Sequence, residues 1–170
     1  MADVAETMKE RARAVQSIVL EAGDLDEAFR YAVSVTKERG GDSVAAPGLE
    51  GEERRALEKL CREAGLSLLT ENLRGQSIHT GFTLADWGIA ETGTLVIDST
   101  PEGVRLATML SEIHVAALPR SRIRPDASSL EMELKERMRS GGYLAFISGA
   151  SRTADIERVL TIGVHGPGEL

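Results

Sequence analysis

Cysteine is nearly absent from this chain: Cys61 stands alone among 170 residues. One thiol cannot build an internal disulfide framework. An iron–sulfur cluster normally takes about four thiolates, so the chain is expected to bind no cluster of its own. Positive charge is also short. Twenty Lys and Arg face 27 Asp and Glu, giving a net charge of −7, whereas a nucleic-acid or anionic-membrane binder needs a basic field. No apolar run approaches the ~20 residues of a membrane span. The charged N-terminus lacks the apolar core of a secretion signal, and the expectation is a soluble cytoplasmic protein. Neither the glycine-rich dinucleotide fingerprint nor the phosphate-binding loop pattern occurs. His79, His114 and His165 have no metal-ligand spacing, so a bound metal is not expected.

What is present reads as one α/β domain over residues 1–170, with N-terminal helices in 1–40 and an α/β core in 41–170. A chain of this length buries about 70% of its unfolded surface. Val4, Met8, Val15, Ile18 and Val19 form one helical stripe, and Leu25, Ala28, Phe29, Ala32 and Val33 a second. Gly23-Asp24 separates them as a stop and an N-cap, and the first helix is a candidate for self-association into a homo-oligomer. Ser43–Ala46 is a short strand. A third helix presents Ala56, Leu57, Leu60, Cys61 and Ala64 on one face and ends at Gly65, and Leu66–Leu69 is a buried strand. Leu95–Ile97, Ile113–Leu118 and Tyr143–Ile147 are further strands. Between them a helix opens at Ser99-Thr100-Pro101-Glu102 with capping-box spacing, and another runs from Pro125 to Arg139. Strands alternating with helices predict an open, mostly parallel sheet with helices on both faces.

The candidate chemistry lies in two polar runs that interrupt this pattern. Gly81–Leu95 places Asp86, Glu91, Thr83, Thr92 and Thr94 where apolar strands are expected. An unpartnered buried carboxylate is costly, so Glu91, at a strand boundary beside Thr92-Gly93, is expected to have a raised pKa suited to proton transfer or nucleophilic attack. The competing reading has Glu91 capping loop amides or pairing with Arg152. Asp86 joins Glu91 in one cleft only if the chain bends at Gly88. The second run is Ser148-Gly149-Ala150-Ser151-Arg152-Thr153-Ala154-Asp155-Ile156-Glu157. Ser151-Arg152-Thr153 there reads as a helix start whose amides could hold an anion, although Asp155 and Glu157 already satisfy the helix dipole. His165 follows in Gly163-Val164-His165-Gly166-Pro167. His114 reads as a hydrogen-bonded core histidine and His79 as a loop residue. Arg120, Arg122 and Arg124 alternate between two prolines, either as a solvated loop or as a docking surface for an acidic partner.

The ordered pieces Ala90-Glu91-Thr92-Gly93-Thr94-Leu95, then Phe146–Gly149 with Ser151–Glu157, then Gly163–Pro167, are similar to the LUD domain, the family of lactate utilization protein C. The resemblance covers roughly the C-terminal half. It implies a fold like that of glucosamine-phosphate deaminases, ribose-phosphate isomerases and CoA transferases, with sites at the carboxyl ends of strands. It further implies a non-cluster component of a bacterial L-lactate utilization system, working beside iron–sulfur partners that convert L-lactate to pyruvate, with a pocket for a small carboxylate ligand or a partner segment. The alternative is a stand-alone enzyme of CoA-transferase or sugar-phosphate isomerase type, since Glu91-Thr92-Gly93 resembles the segment whose glutamate becomes acylated in CoA transferases. The expected site is therefore Glu91 as catalytic group, with Asp86, Thr92, Gly93, Thr94, Gly149, Ser151, Arg152, Thr153, Asp155, Glu157 and His165 binding the ligand.

Overall fold

The computed structural model describes residues 3–154, 160–162 and 166–170. Helix α1 (Val4–Ala14) opens on Asp3, whose carboxylate accepts the Ala5 N–H at 3.0 Å. Helix α2 (Leu25–Glu38) opens on Asp24, which accepts the Glu27 N–H at 2.8 Å, as the Gly23-Asp24 pair predicts. The first helix ends before Ile18 and Val19, because Gln16 takes φ 67° and turns the chain away. Then follow β1 (Ser43–Ala45), α3 (Gly51–Ala64), β2 (Ser67–Leu69), β3 (Thr80–Leu84), β4 (Trp87–Ile89) and β5 (Thr94–Asp98). The C-terminal half holds α4 (Glu102–Leu110), β6 (Ile113–Ala117), β7 (Ile123–Arg124), α5 (Glu131–Arg139), β8 (Leu144–Ile147), β9 (Arg152–Ala154) and β10 (Leu160–Ile162).

Four strands in the order β2-β1-β3-β6 make a wholly parallel sheet. Both faces are covered, so successive residues of β1 enter different cores. Val44 packs with Phe29, Leu57, Cys61 and Phe82 on the α2/α3 side, where the Phe29 and Phe82 rings meet edge-on at 5.1 Å. Ala45 packs with Leu73, Ile78 and Ala107 on the α4 side. The α/β class with a helix-covered parallel sheet is therefore the fold found. A second sheet, β7-β4-β5-β8, is antiparallel except for β4–β7. Strand periodicity alone did not separate it from the first. The pair β9–β10 forms a small antiparallel ribbon.

Three local expectations are corrected. The capping box at Ser99 does not form: Pro101 is the N-cap of α4, and the Ser99 hydroxyl donates to the Tyr143 carbonyl at 3.2 Å. The helix expected from Pro125 starts at Glu131, because Asp126 accepts the Ser129 N–H at 2.8 Å and stabilises a turn first. The helix expected at Ser151 is replaced by β9. The run Gly81–Ile89 is itself mostly strand, β3 and then β4, and the adjacent amides of Ala85 and Asp86 divide it between the sheets. Ala85 N–H donates to Ala117 O at 2.8 Å, extending the β3–β6 ladder, while Asp86 N–H donates to Val96 O at 2.9 Å in the second sheet.

Gly93 joins the second sheet to the N-terminal helix. It has φ 66°, and a Cβ there would lie 2.4 Å from the Ala12 backbone nitrogen in α1. Gly65, at φ 74°, has nothing within 4 Å of the same position. Both sites charge an alanine about 1–2 kcal/mol for the left-handed conformation, but only Gly93 adds a backbone collision. Gly93→Ala should therefore destabilise the protein by clearly more than Gly65→Ala in chemical denaturation; equal losses would show that α1 does not pack on this turn as described.

Candidate functional site

The β4–β5 turn carries the residue expected to be catalytic. Ile89 and Ala90 are buried, but Glu91 and Thr92 face solvent. Glu91 N–H donates to Pro125 O at 2.9 Å. Its carboxylate has no hydrogen-bond or ion-pair partner among the described residues. The expected buried strand-end carboxylate is thus not found: the hairpin turns outward after Ala90, and Gly93 is the residue that packs inward. Thr92 begins a chain of hydroxyls. Its Oγ1 lies 2.6 Å from Thr94 Oγ1, which lies 2.6 Å from Ser148 Oγ.

Asp86 does not share a cleft with Glu91. It is half-buried and accepts the Asp98 N–H at 2.7 Å, with Arg137 Nη2 at 3.5 Å. Arg137 also pairs with Asp98 and lies 5.9 Å over the Trp87 ring. Burial pushes the Asp98 carboxyl up, but hydrogen bonds from Thr100 and the Arg137 guanidinium outweigh this and hold it below the ordinary carboxylate range. These groups fasten strands together rather than waiting for a ligand. Gly88 lies in regular β4 pairing rather than at a bend.

A cleft of about 450 Å³ runs between α4 and β8. On the helix side, Arg105, Thr108 and Met109 share one face of α4 through i, i+3 and i+4 spacing. Every residue from Tyr143 to Gly149 lines the other side. Alternate strand residues point to opposite faces, so a cleft touching all of them follows the strand's edge. Ser151, Gly166, Pro167 and Leu170 close one end, with Ser151 N–H donating to Pro167 O at 2.9 Å. The hydroxyl chain from Thr92 ends here at Ser148.

His114, in β6, contributes to the cleft wall but is itself enclosed. Its Nε2 is hydrogen-bonded to the Thr83 hydroxyl at 2.8 Å, and burial pushes its pKa down to about 4. It is the core histidine that its apolar setting indicates, neutral at pH 7. His79 precedes β3, buried, with Nδ1 3.0 Å from Thr80 Oγ1.

Of the expected ligand-binding residues, Gly149 and Ser151 line this cleft, and Thr94 reaches it through Ser148. Gly149 takes φ 76° at the turn out of β8. Arg152 and Thr153 belong to β9. Asp155, Glu157 and His165 lie outside the described residues. The cleft is also not at the carboxyl ends of the parallel strands, because His114 is near the start of β6. The cavity that does lie at those ends, beside Leu49, Phe82 and Leu84, is only about 150 Å³, and its one charged lining residue, Asp98, is tied to Arg137. Sequence reasoning missed Arg105 and Tyr143. Arg105 looks like an ordinary polar position on an amphipathic helix, and only the fold brings Tyr143 beneath it. Among the described residues, no group of three or more His, Cys, Asp or Glu is arranged to hold a metal ion.

The sequence matches the LUD domain over residues 5–170. The chain belongs to the LUD domain family. It is 38% identical to lactate utilization protein C of Halalkalibacterium halodurans over 98 residues, which are 55% of this chain and 43% of that protein. It is 31% identical to the uncharacterized protein YkgG of Escherichia coli over 152 residues, 83% of this chain and 66% of that one. The matches therefore span from about two fifths to two thirds of these relatives' lengths. A crystal structure of a DUF162 family protein from Deinococcus radiodurans superposes with a TM-score of 0.66, covering 99% of this chain and 93% of that chain at 15% identity. At that identity the likeness establishes the LUD fold alone.

An exposed, unpaired Glu91 makes Glu91→Gln nearly neutral, within about 0.5 kcal/mol in denaturant titration. A loss above about 1 kcal/mol would mean that the carboxylate is a buried acceptor after all. For His114 the unfolded chain takes up a proton below its ordinary pKa of 6.5, while the folded chain resists until about 4. Stability is thus intact above pH 6.5 and falls as pH drops towards 4, by about 3 kcal/mol in all for this group. Urea titrations across that window should show the slope in the parent protein and a flatter one in His114→Gln; identical slopes would contradict the enclosed neutral imidazole.

Proposed function

We propose that this chain is the non-cluster component of a bacterial L-lactate utilization system, acting beside iron–sulfur partner proteins that oxidise L-lactate to pyruvate. The observation that carries this reading is its similarity to proteins named lactate utilization protein C, at 38% identity in Halalkalibacterium halodurans and 30% in Bacillus subtilis. Cysteine chemistry agrees with the division of labour. Cys61, the one thiol, is buried in the α2/α3 core, and burial pushes its pKa up to about 11. A thiol held protonated is a poor cluster ligand, so the electrons leaving lactate pass to the partners' clusters.

The alternative, a stand-alone CoA-transferase or isomerase using Glu91, is less favoured. A nucleophilic or basic carboxylate needs an enclosed setting that activates it and excludes water, and the exposed turn at Glu91 supplies neither. No helix among the described residues is long and apolar enough to cross a membrane, which suits a component that meets its partners in solution. Deleting the gene in its own host should abolish growth on L-lactate while leaving growth on glucose intact, and a plasmid copy should restore it. The purified protein should be colourless and should co-purify from lactate-grown cells with iron-containing proteins. Undiminished growth of the deletion strain on L-lactate would overturn the proposal.

A further inference from the structure

Arg105 is a half-buried guanidinium with no ion pair among the described residues. Its Nη1 donates to the carbonyls of Ser99 at 3.1 Å and Thr100 at 3.3 Å, and its plane lies 5.6 Å over the Tyr143 ring. These contacts fix the group's orientation through one of its nitrogens, and its other donors have no partner among the described residues. Elsewhere on the chain, Arg39, Arg74, Arg120 and Arg137 each hold a carboxylate. Arg105 instead lines the α4–β8 cleft and is, among the described residues, the only charged side chain there.

The rest of the cleft is mixed. Met109, Tyr143 and Phe146 are exposed large side chains; others, such as Met132 and Met138, are exposed elsewhere, but these three gather at one concave place. They line this cleft together with Leu144, Ile147 and Pro167. Exposed apolar groups gathered around a concave site mark a place where an apolar surface is received. Ser148 and Thr108 add hydroxyls to the lining.

We infer that this cleft binds an organic monocarboxylate with an apolar body larger than a three-carbon acid, its carboxylate on Arg105 and its body against Met109 and Phe146. Several observations fix the class. A planar guanidinium anchored on one side matches a carboxylate by paired hydrogen bonds. Among the described residues the cleft offers one positive charge, which balances one negative charge, whereas a doubly charged phosphate would leave charge uncompensated. The apolar wall separates the ligand from lactate, which offers Met109 and Phe146 a single methyl group where a longer acid offers several buried carbons. The inference goes beyond the role in lactate utilization and does not depend on it.

Hexanoate and hexanamide have the same shape and differ in charge, which makes them suitable probes. In calorimetry at pH 7, hexanoate should bind the full chain at least about tenfold more tightly than hexanamide and than L-lactate, a difference of about 1.4 kcal/mol. Amide shifts in a labelled sample should concentrate at Arg105, Thr108 and Tyr143–Ser148. Arg105→Gln should reduce hexanoate affinity to the level of hexanamide and leave hexanamide unchanged. Equal affinity for hexanoate and hexanamide, lactate binding as tightly as hexanoate, shifts centred elsewhere, or no saturable hexanoate binding at millimolar concentration would each overturn the assignment. Should Arg105→Gln fail to fold, the comparison of the two probes on the parent protein decides alone.

Discussion

Two neighbouring amides determine how this molecule is put together. Ala85 donates into the parallel sheet and Asp86 into the antiparallel one. The chain therefore leaves one sheet and enters the other within a single peptide unit, with no linker to absorb misalignment. Unpaired backbone groups at such a junction would be costly. The Asp86 carboxylate meets that need by accepting the Asp98 N–H at 2.7 Å, which ties the end of β5 to the crossing point. Arg137 of α5 then bridges Asp86 and Asp98 and covers Trp87. The polar run that interrupts the apolar strand pattern is the seam between two sheets.

The α4–β8 cleft follows from that seam. Its helix wall rests on the parallel sheet through Ala107, whose carbonyl lies so close to Gly81 that a Cβ there would fall 2.2 Å away. Its other wall, β8, belongs to the second sheet and is held by β5. The walls therefore belong to different sheets, which are joined at the Asp86 crossing and through the apolar cluster of Ala85, Ile97 and Val104 with Ile147. The cation–aromatic contact between Arg105 and Tyr143 spans the gap directly. With the Tyr143 ring exposed it contributes about 0.5–1 kcal/mol, so it aligns the walls more than it holds them.

Local signals were legible in the sequence and distant ones were not. The Asp24 N-cap, the Gly65 stop and the apolar stripes of α2 and α3 act within a few residues, and each appears where the pattern puts it. The threonines of β3 were harder to place. Thr80 is satisfied by Thr36 from 44 residues away, and Thr83 by His114 from 31 residues away, so no window on the sequence shows that these hydroxyls have partners. Glu91 misled for the converse reason. Its apolar neighbours suggested burial, but the φ of Gly93 and the approach of α1 turn the hairpin so that the glycine goes in and the glutamate goes out. Gly149 and Ser151 do reach the cleft, whereas Arg105 and Tyr143 depended on two sheets meeting at one angle.

Hydrogen exchange on Asp86→Ala tests that dependence most directly. Removing the carboxylate deletes the acceptor for Asp98 N–H and one of the two partners of Arg137, but touches no packing in the parallel sheet. The account predicts lost protection in β4, β5 and β8, with near-normal protection in β1, β3 and β6. Uniform loss across both sheets, or an unchanged β5–β8 ladder, would contradict the claim that this junction holds the second sheet, and with it the cleft, in place.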